Sequence, residues 1–293
     1  MVDYQCIMPA IVDVAKCYHT EVITTSPKAK FKGATHIEFA PENADERARE
    51  IVRIAIERFK QRRGPIRIPE VRPVELMTGF SVEAVLKALG GSLRPLIDAI
   101  KDGSIRGVVG SVGCNNPKVK QDSSHIALAR RLIENDVLVV DTGCAAIADA
   151  KAGLKTPEAA RHAGNGLRKV CEALRIPPVL HFGSCVDNSR ILVALCAIAS
   201  ELGVDISDLP AAGAAMEWYS EKAIAIGTYF VASGLLVVLG VPPAIYGSKL
   251  VLDVLTSKVR DLTGGRFVVE PDPETAAQII LEDIEEKRRA LGI

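Results

Sequence analysis

Aromatic side chains make up only 4% of the 293 residues, too few to supply the stacking platforms on which single-stranded nucleic acids rest. An excess of one charge is lacking too. The 36 basic residues balance 36 acidic ones, so no bulk potential draws the chain to nucleic acid or to an anionic membrane surface. No apolar run approaches the span of a bilayer, and no signal-peptide pattern opens the sequence. Seven cysteines, an odd number, then point to a reducing, cytoplasmic setting, where thiols serve metals or catalysis more often than disulfides. Their spacing fits neither a zinc ribbon nor a run of ferredoxin cysteines, so any metal group has to be assembled from distant segments. Low-complexity tracts and solenoid repeats are also missing.

What is present suits a globular α/β protein. With 48% hydrophobic and 25% charged residues, the chain can bury one large or two medium cores. Three stretches organise it: Ile105 to Cys114 (IRGVVGSVGC), Val137 to Cys144 (VLVVDTGC) and Val179 to Cys185 (VLHFGSC). Each is an apolar, β-branched run that breaks at glycine and delivers a cysteine at or just past its end. Each precedes a helix-like segment, which predicts parallel strands joined by right-handed crossovers. Their carboxyl ends would share one edge of the sheet, where ligands of open α/β folds bind. One cysteine at a strand end is ordinarily packing. Three with the same local grammar point to a shared metal or cluster site, since thiolates select soft metals and iron–sulfur centres.

Along the chain, strands are expected at Val2 to Gln5, Glu21 to Thr25 and His36 to Phe39, with helices through Lys16 and from Ala44 to Arg62. These form a partial α/β domain over 1–72 whose faces are left uncovered. The stretch GPIRIPEVRP from Gly64 to Pro73 reads as a linker. From 73 to 293 the pattern is a doubly wound, Rossmann-like sheet. Helices are expected at Ser81 to Leu89, Pro95 to Asp102, Ser124 to Glu134, Ala145 to Ala152, Gly164 to Leu174 and Ser189 to Leu202. The glycine-, alanine- and proline-rich segment Val204 to Trp218 precedes a helix that Ser220 can cap. Then come a strand at Leu235 to Gly240, a helix from Ser248 to Thr263, a strand at Arg266 to Glu270 and a terminal helix from Pro273.

Glycines beside Cys114, Cys144 and Cys185 let backbone approach a bulky ligand, and the helix starts beyond them offer amide donors to thiolate or sulfide. Cys6, in VDYQCIMP, has the same strand-to-helix setting and is the natural fourth ligand. Cys171 and Cys196 fall on apolar helical faces and read as core, as Cys17 reads as packing. His181 reads as core or as support behind the cysteines, and His125 as a surface or capping residue.

VDYQCIMP, ATHIEF, GFSVEAVLKALGG, VVGSVGCNNPK, NDVLVVDTGCAA, PPVLHFGSCVDNSR and SEKAIAIG, in this order, resemble the anaerobic nickel–iron–sulfur carbon monoxide dehydrogenases. The more distant hybrid-cluster (prismane) or hydroxylamine reductase family shares their fold. The resemblance implies a Ni–Fe–S cluster with Cys6, Cys114, Cys144 and Cys185 matching four thiolate ligands. Lys222 matches the family's acid–base lysine, and Ile226, one helical turn later, the apolar residue that crowds the gas-binding position. It implies oxidation of CO with water to CO2, two electrons passing to a ferredoxin-like acceptor, and a homodimer in the full-length family.

The same resemblance implies a chain that starts inside the family's middle domain. The accessory 4Fe–4S relay clusters, a further cysteine ligand, the histidine of the pendant iron and an upstream catalytic histidine are not encoded in it. The stretch between Cys144 and Cys185 reads as trimmed. Two readings follow: an enzyme of this family, completed by a separate N-terminal polypeptide or seen as a fragment, and a non-catalytic cluster-binding scaffold or sensor.

Overall fold

The computed structural model describes residues 1–2, 9–65, 67–71, 73–243 and 247–293. Two compact units divide the chain, Met1–Pro73 and Val74–Ile293.

In the first unit, helix α1 (Ile11–Cys17) precedes a parallel pair, β1 (Ile23–Thr24) and β2 (Thr35–His36), and α2 (Ala44–Lys60) follows. Both strands are shorter than their apolar runs predict. Pro27 opens a 3-10 turn separated from β1 by two residues, and among the described residues each strand has a single neighbour to hold it. The expected first strand falls, from Asp3 onward, outside the described residues, as does Cys6. Val12, Ala15, Ile23, Ala29 and Ile37 form a small core. No residue of α2 is buried; its Val52, Ile56 and Phe59 are half-exposed.

The second unit opens with α3 (Val82–Ala88) and α4 (Arg94–Lys101). Ser81 caps α3 by accepting from Ala84 N at 3.2 Å. Strands and helices then alternate: β3 (Gly107–Ser111), α5 (Ser123–Glu134), β4 (Val137–Thr142), α6 (Gly143–Lys151), α7 (Asn165–Leu174), β5 (Val179–Gly183), α8 (Asn188–Leu202), β6 (Ala211–Ala215), α9 (Glu221–Ala232) and β7 (Leu236–Leu239). The segment expected as one helix from Ser248 splits into α10 (Lys249–Asp253), a π turn (Val254–Lys258) and α11 (Val259–Thr263). Strand β8 (Arg266–Val269) and α12 (Pro273–Leu291) complete the unit.

The sheet is six-stranded, in the order β5-β4-β3-β6-β7-β8, and every pair is parallel. The chain winds outward from β3 to β5, returns to the far side of β3, and winds outward again. This is the doubly wound Rossmann order, with its reversal between β3 and β6. Helix α5 packs on α6 and α12, α12 reaches β6 and β7, and α9 lies on β6 and β7. Val109, Val139, Val179 and Val238 are fully buried along the strand centres, as expected where both faces are covered.

Strand β6 departs from the sequence pattern. Its sequence is AAGAA, which carries none of the β-branched signal of a strand. All five residues are buried, and small side chains suit a strand with helices close against it. Beside it, Gly107 has no room for a side chain: a Cβ there would lie 2.5 Å from Pro210 O and 2.9 Å from Ile284. Among the described residues no helix is long and apolar enough to cross a membrane. A cavity of about 440 Å3 lies among Phe80, Val85, Leu138, Leu180, Leu195 and Ile198, and no cysteine lines it.

Close approach at Gly107 predicts that Gly107→Ala destabilises by about 1–3 kcal/mol. Gly213→Ala, whose Cβ would meet Val237 at 3.5 Å, should cost under about 1 kcal/mol. Urea unfolding of the two variants tests the contrast, and equal effects would refute this packing.

Candidate metal centre

Three adjacent strands deliver the three cysteines. Cys114 follows β3, Cys144 is the second residue of α6 after β4, and Cys185 opens a 3-10 turn after β5. Gly113, Gly143 and Gly183 precede them with φ of 108°, 63° and 137°, a region open to glycine. Gly143 sits where the three loops meet. A Cβ on it would lie 3.1 Å from Cys185 Cβ and 3.4 Å from Gly113 O. Cys144 N donates to Gly113 O at 3.1 Å, tying the second loop to the first. All three cysteines are half-buried.

The fourth adjacent strand adds a cation. Beyond β6 the chain enters α9, whose Lys222 Nζ donates to Cys185 Sγ at 3.0 Å. Ser220 stands at the N-cap of α9, yet its side chain makes no capping hydrogen bond; its Oγ lies 4.0 Å from Cys114 Sγ. Ile226, four residues after Lys222, packs partly buried against the core. Groups from β3, β5 and β6 thus meet at the carboxyl edge, on either side of the topological reversal.

Polar support lies beneath this edge. Ser111, Asp141 and His181 share one rung across β3, β4 and β5. A register shift follows Asp141, so that Thr142 pairs with Gly183, and Thr142 Oγ1 donates to Asn188 Oδ1. Lys155 Nζ pairs with the Asp141 carboxyl, both side chains being buried. Burial pushes the Asp141 carboxyl up, against the pull of Lys155. Asp149, also buried, is held well above the ordinary carboxylate range, first by burial and then by Asp141.

Several single-residue expectations need correction. His125 is fully buried, with Nε2 2.8 Å from Cys114 O, because the first turn of α5 faces the Cys114 loop. Burial pushes its pKa down, which favours the neutral ring. Cys196 is exposed, since α8 buries Ile191, Leu195, Ile198 and Ala199 and Cys196 falls at the flank of that face. Cys17 is exposed too; its Sγ lies 3.6 Å from Asp13 O. Cys171 is core, as expected, and burial pushes its thiol up to about 12.

Among the described residues, no three His, Cys, Asp or Glu side chains stand close enough together to hold a metal ion. The donor chemistry at the strand ends nevertheless suits a soft-metal group: three thiols on glycine-hinged loops, two of them at helical N-termini. A polynuclear cluster reaches separated thiols that a single ion does not.

Fold and edge together define an α/β protein with a thiol-rich carboxyl edge. Residues 1–274 match the model of the Prismane/CO dehydrogenase family, and the chain belongs to that family. Carbon monoxide dehydrogenase 1 of Methanosarcina mazei is 58% identical over 294 residues, covering 100% of this chain and 47% of the relative. Carbon monoxide dehydrogenase 1 of Carboxydothermus hydrogenoformans is 47% identical over 308 residues, with 100% and 48% covered. The Ni-free crystal structure of carbon monoxide dehydrogenase from Thermococcus sp. AM4 superposes with a TM-score of 0.92 at 62% identity, covering 99% of this chain and 46% of that one. The chain thus spans about half the length of these relatives.

The buried carboxyl predicts a pH dependence. A raised folded pKa means that Asp149 keeps its proton where the unfolded chain has released it. Its contribution is fully present below the ordinary carboxylate range and is lost as pH rises through the raised value. Asp149→Asn removes that loss, so urea midpoints should fall less from about pH 5 to about pH 9 than in the parent; parallel curves would refute it. For the thiols, alkylation of the folded protein followed by peptide mass spectrometry should modify Cys17 and Cys196 well before Cys171, and early labelling of Cys171 would contradict its burial.

Proposed function

We propose that this chain is the cluster-binding part of a carbon monoxide dehydrogenase, which oxidises CO with water to CO2, two protons and two electrons and passes the electrons to a ferredoxin-type acceptor. The observation that carries the reading is the Lys222 Nζ to Cys185 Sγ contact of 3.0 Å, made where three cysteine-bearing strands end side by side. The family and the names of the relatives support it.

Cys114, Cys144 and Cys185 would hold a Ni–Fe–S cluster, with Cys6 as a fourth thiolate. When bound, that group supplies the Lewis-acid metals for CO and water and a store for two electrons. The remaining work falls to the chain. Lys222 Nζ, held at the edge by α9, is placed to donate hydrogen bonds to a developing carboxylate and to exchange the protons that water releases. Ile226 lies one turn along the same helix face and would crowd the gas position. The thiols bind, the glycine hinges leave space for a bulky inorganic group, and the buried Asp141–Lys155 pair fixes the strand end from which Cys144 departs.

A second reading is a cluster-binding scaffold or sensor without turnover. It draws on the lack, among the described residues, of three ligands gathered within reach of one ion. A hydroxylamine reductase-like activity is less well supported, because the relatives above are carbon monoxide dehydrogenases.

The test is anaerobic purification with metal analysis and a CO-oxidation assay using an artificial electron acceptor. Nickel and iron with turnover are expected, and Lys222→Ala should lower the rate by about 10²–10⁴-fold with metal content unchanged. Cluster without turnover would favour the scaffold. A folded, metal-free protein would overturn both.

A further inference from the structure

Glu217 is fully buried in the two-residue turn that follows β6, and both of its carboxyl oxygens are spent on a segment from the other side of the topological reversal. Oε2 accepts from Asn115 Nδ2 at 3.0 Å and from Asp122 N at 3.0 Å, and Oε1 accepts from Ser124 N at 2.9 Å. Asp122 is the N-cap residue of α5 and lies at φ 68°, with its own side chain making no capping bond. That side chain is turned elsewhere, accepting from Asn115 Nδ2 at 3.0 Å and pairing with Lys151. Glu217 therefore caps α5 from a different strand. The next residue repeats the tie, as Asn116 Nδ2 donates to Trp218 O at 2.9 Å. Local capping would need only a side chain at position 122. A cap brought from β6 locks two loops together, and those loops carry Cys114 on one side and Ser220 and Lys222 on the other.

We infer that Glu217 is a positioning residue that sets the distance between the Cys114 loop and the start of α9, and so the placement of Lys222 over the thiol edge. The catalytic part of this inference rests on the proposed function. Its structural part, the clamp, does not. The contacts of Glu217 run to Asn115, Asp122 and Ser124, so it is placed to act through the loops it joins.

The test uses Glu217→Gln, which keeps the volume but turns one acceptor oxygen into a donor amide facing backbone N–H groups. In the full protein, hydrogen exchange at Asp122 and Ser124 should rise by about tenfold. Alkylation of Cys114 in metal-free protein should accelerate, while exchange in α12 stays unchanged. Exchange and alkylation at parent rates would overturn the clamp. For the catalytic part, kcat per loaded cluster should fall by about tenfold to a hundredfold with KM for CO little altered. In a Lys222→Ala background the same substitution should have less than about a threefold further effect, because positioning a missing lysine is worth nothing. Equal losses in the two backgrounds would mark Glu217 as a general structural residue and overturn the positioning role. If Glu217→Gln fails to fold, Asn116→Ala, which cuts the second tie together with the local bond from Lys118 N to Asn116 Oδ1, gives the same readouts at smaller size. A parent protein without CO oxidation would sink the functional reading, and the clamp would then stand or fall on exchange and alkylation alone.

Discussion

The reversal of the chain between β3 and β6 is the constraint on which the rest of the structure depends. Both strands lie in the middle of the sheet, and the order reverses between them, the place where open α/β sheets leave a crevice for a ligand. The opening exists only if β6 can slide in beside β3 under the helices. Its five small buried residues allow this, and Gly107, bare of a side chain where Pro210 O and Ile284 approach, makes room from the β3 side. With that pairing made, β5, β4, β3 and β6 stand in a row. Cys185, Cys144 and Cys114 then leave that row at neighbouring positions, and Lys222, from the helix after β6, reaches back to Cys185.

Beneath the row lies a layer of buried polar groups that a stability argument alone does not explain. Placing Asp141, Lys155 and Asp149 out of water costs more than an apolar trio of the same volume would, and a buried ion pair is weak support for net stability. What such a pair does well is fix one arrangement, because any other leaves a charge without a partner. Asp141 lies at the last regular rung before the register shift that sets Thr142 against Gly183. The pair thus pins the strand at the place where its hydrogen-bond pattern changes and the Cys144 loop begins. His125 does similar work on the neighbouring loop, holding the carbonyl of Cys114 itself.

How much of this can be read in the amino-acid order depends on whether a residue's role is local. The strand-end cysteines are legible because β-branched runs, glycine and thiol follow one another within a few residues, and parallel pairing follows from the helices between them. Ser81 as a cap is legible for the same reason. Strand β6 is not, since alanine and glycine have no period to read and their meaning comes from neighbours far along the chain. The roles of His125 and Glu217 are equally hidden, because their partners are a carbonyl 11 residues away and amides 93 and 95 residues away. Cys196 reads as core on an apolar helix yet is exposed, since α8 is apolar on more of its surface than the sheet covers. Cys6 is legible as a candidate by its motif and lies outside the described residues.

The depth of α9 decides what the lysine can reach. Helix α9 lies on β6 and β7, and Gly227, immediately after Ile226, is bare where Phe267 of β8 comes to 2.8 Å of a would-be Cβ and Val237 of β7 to 3.6 Å. A side chain there would lift the helix off the sheet, and Lys222, more than one turn nearer its start, would rise with it. Because the helix is rigid, the ammonium and the apolar surface of Ile226 move as one body, and their separation along the axis stays that of i and i+4 neighbours. The small residues of β6, the bare Gly227 and the outer strands β7 and β8 therefore matter to the edge although none of them touches it. They fix how far Lys222 stands from Cys185, and a side chain only a few ångströms out of place would lose the 3.0 Å contact on which the proposed function rests.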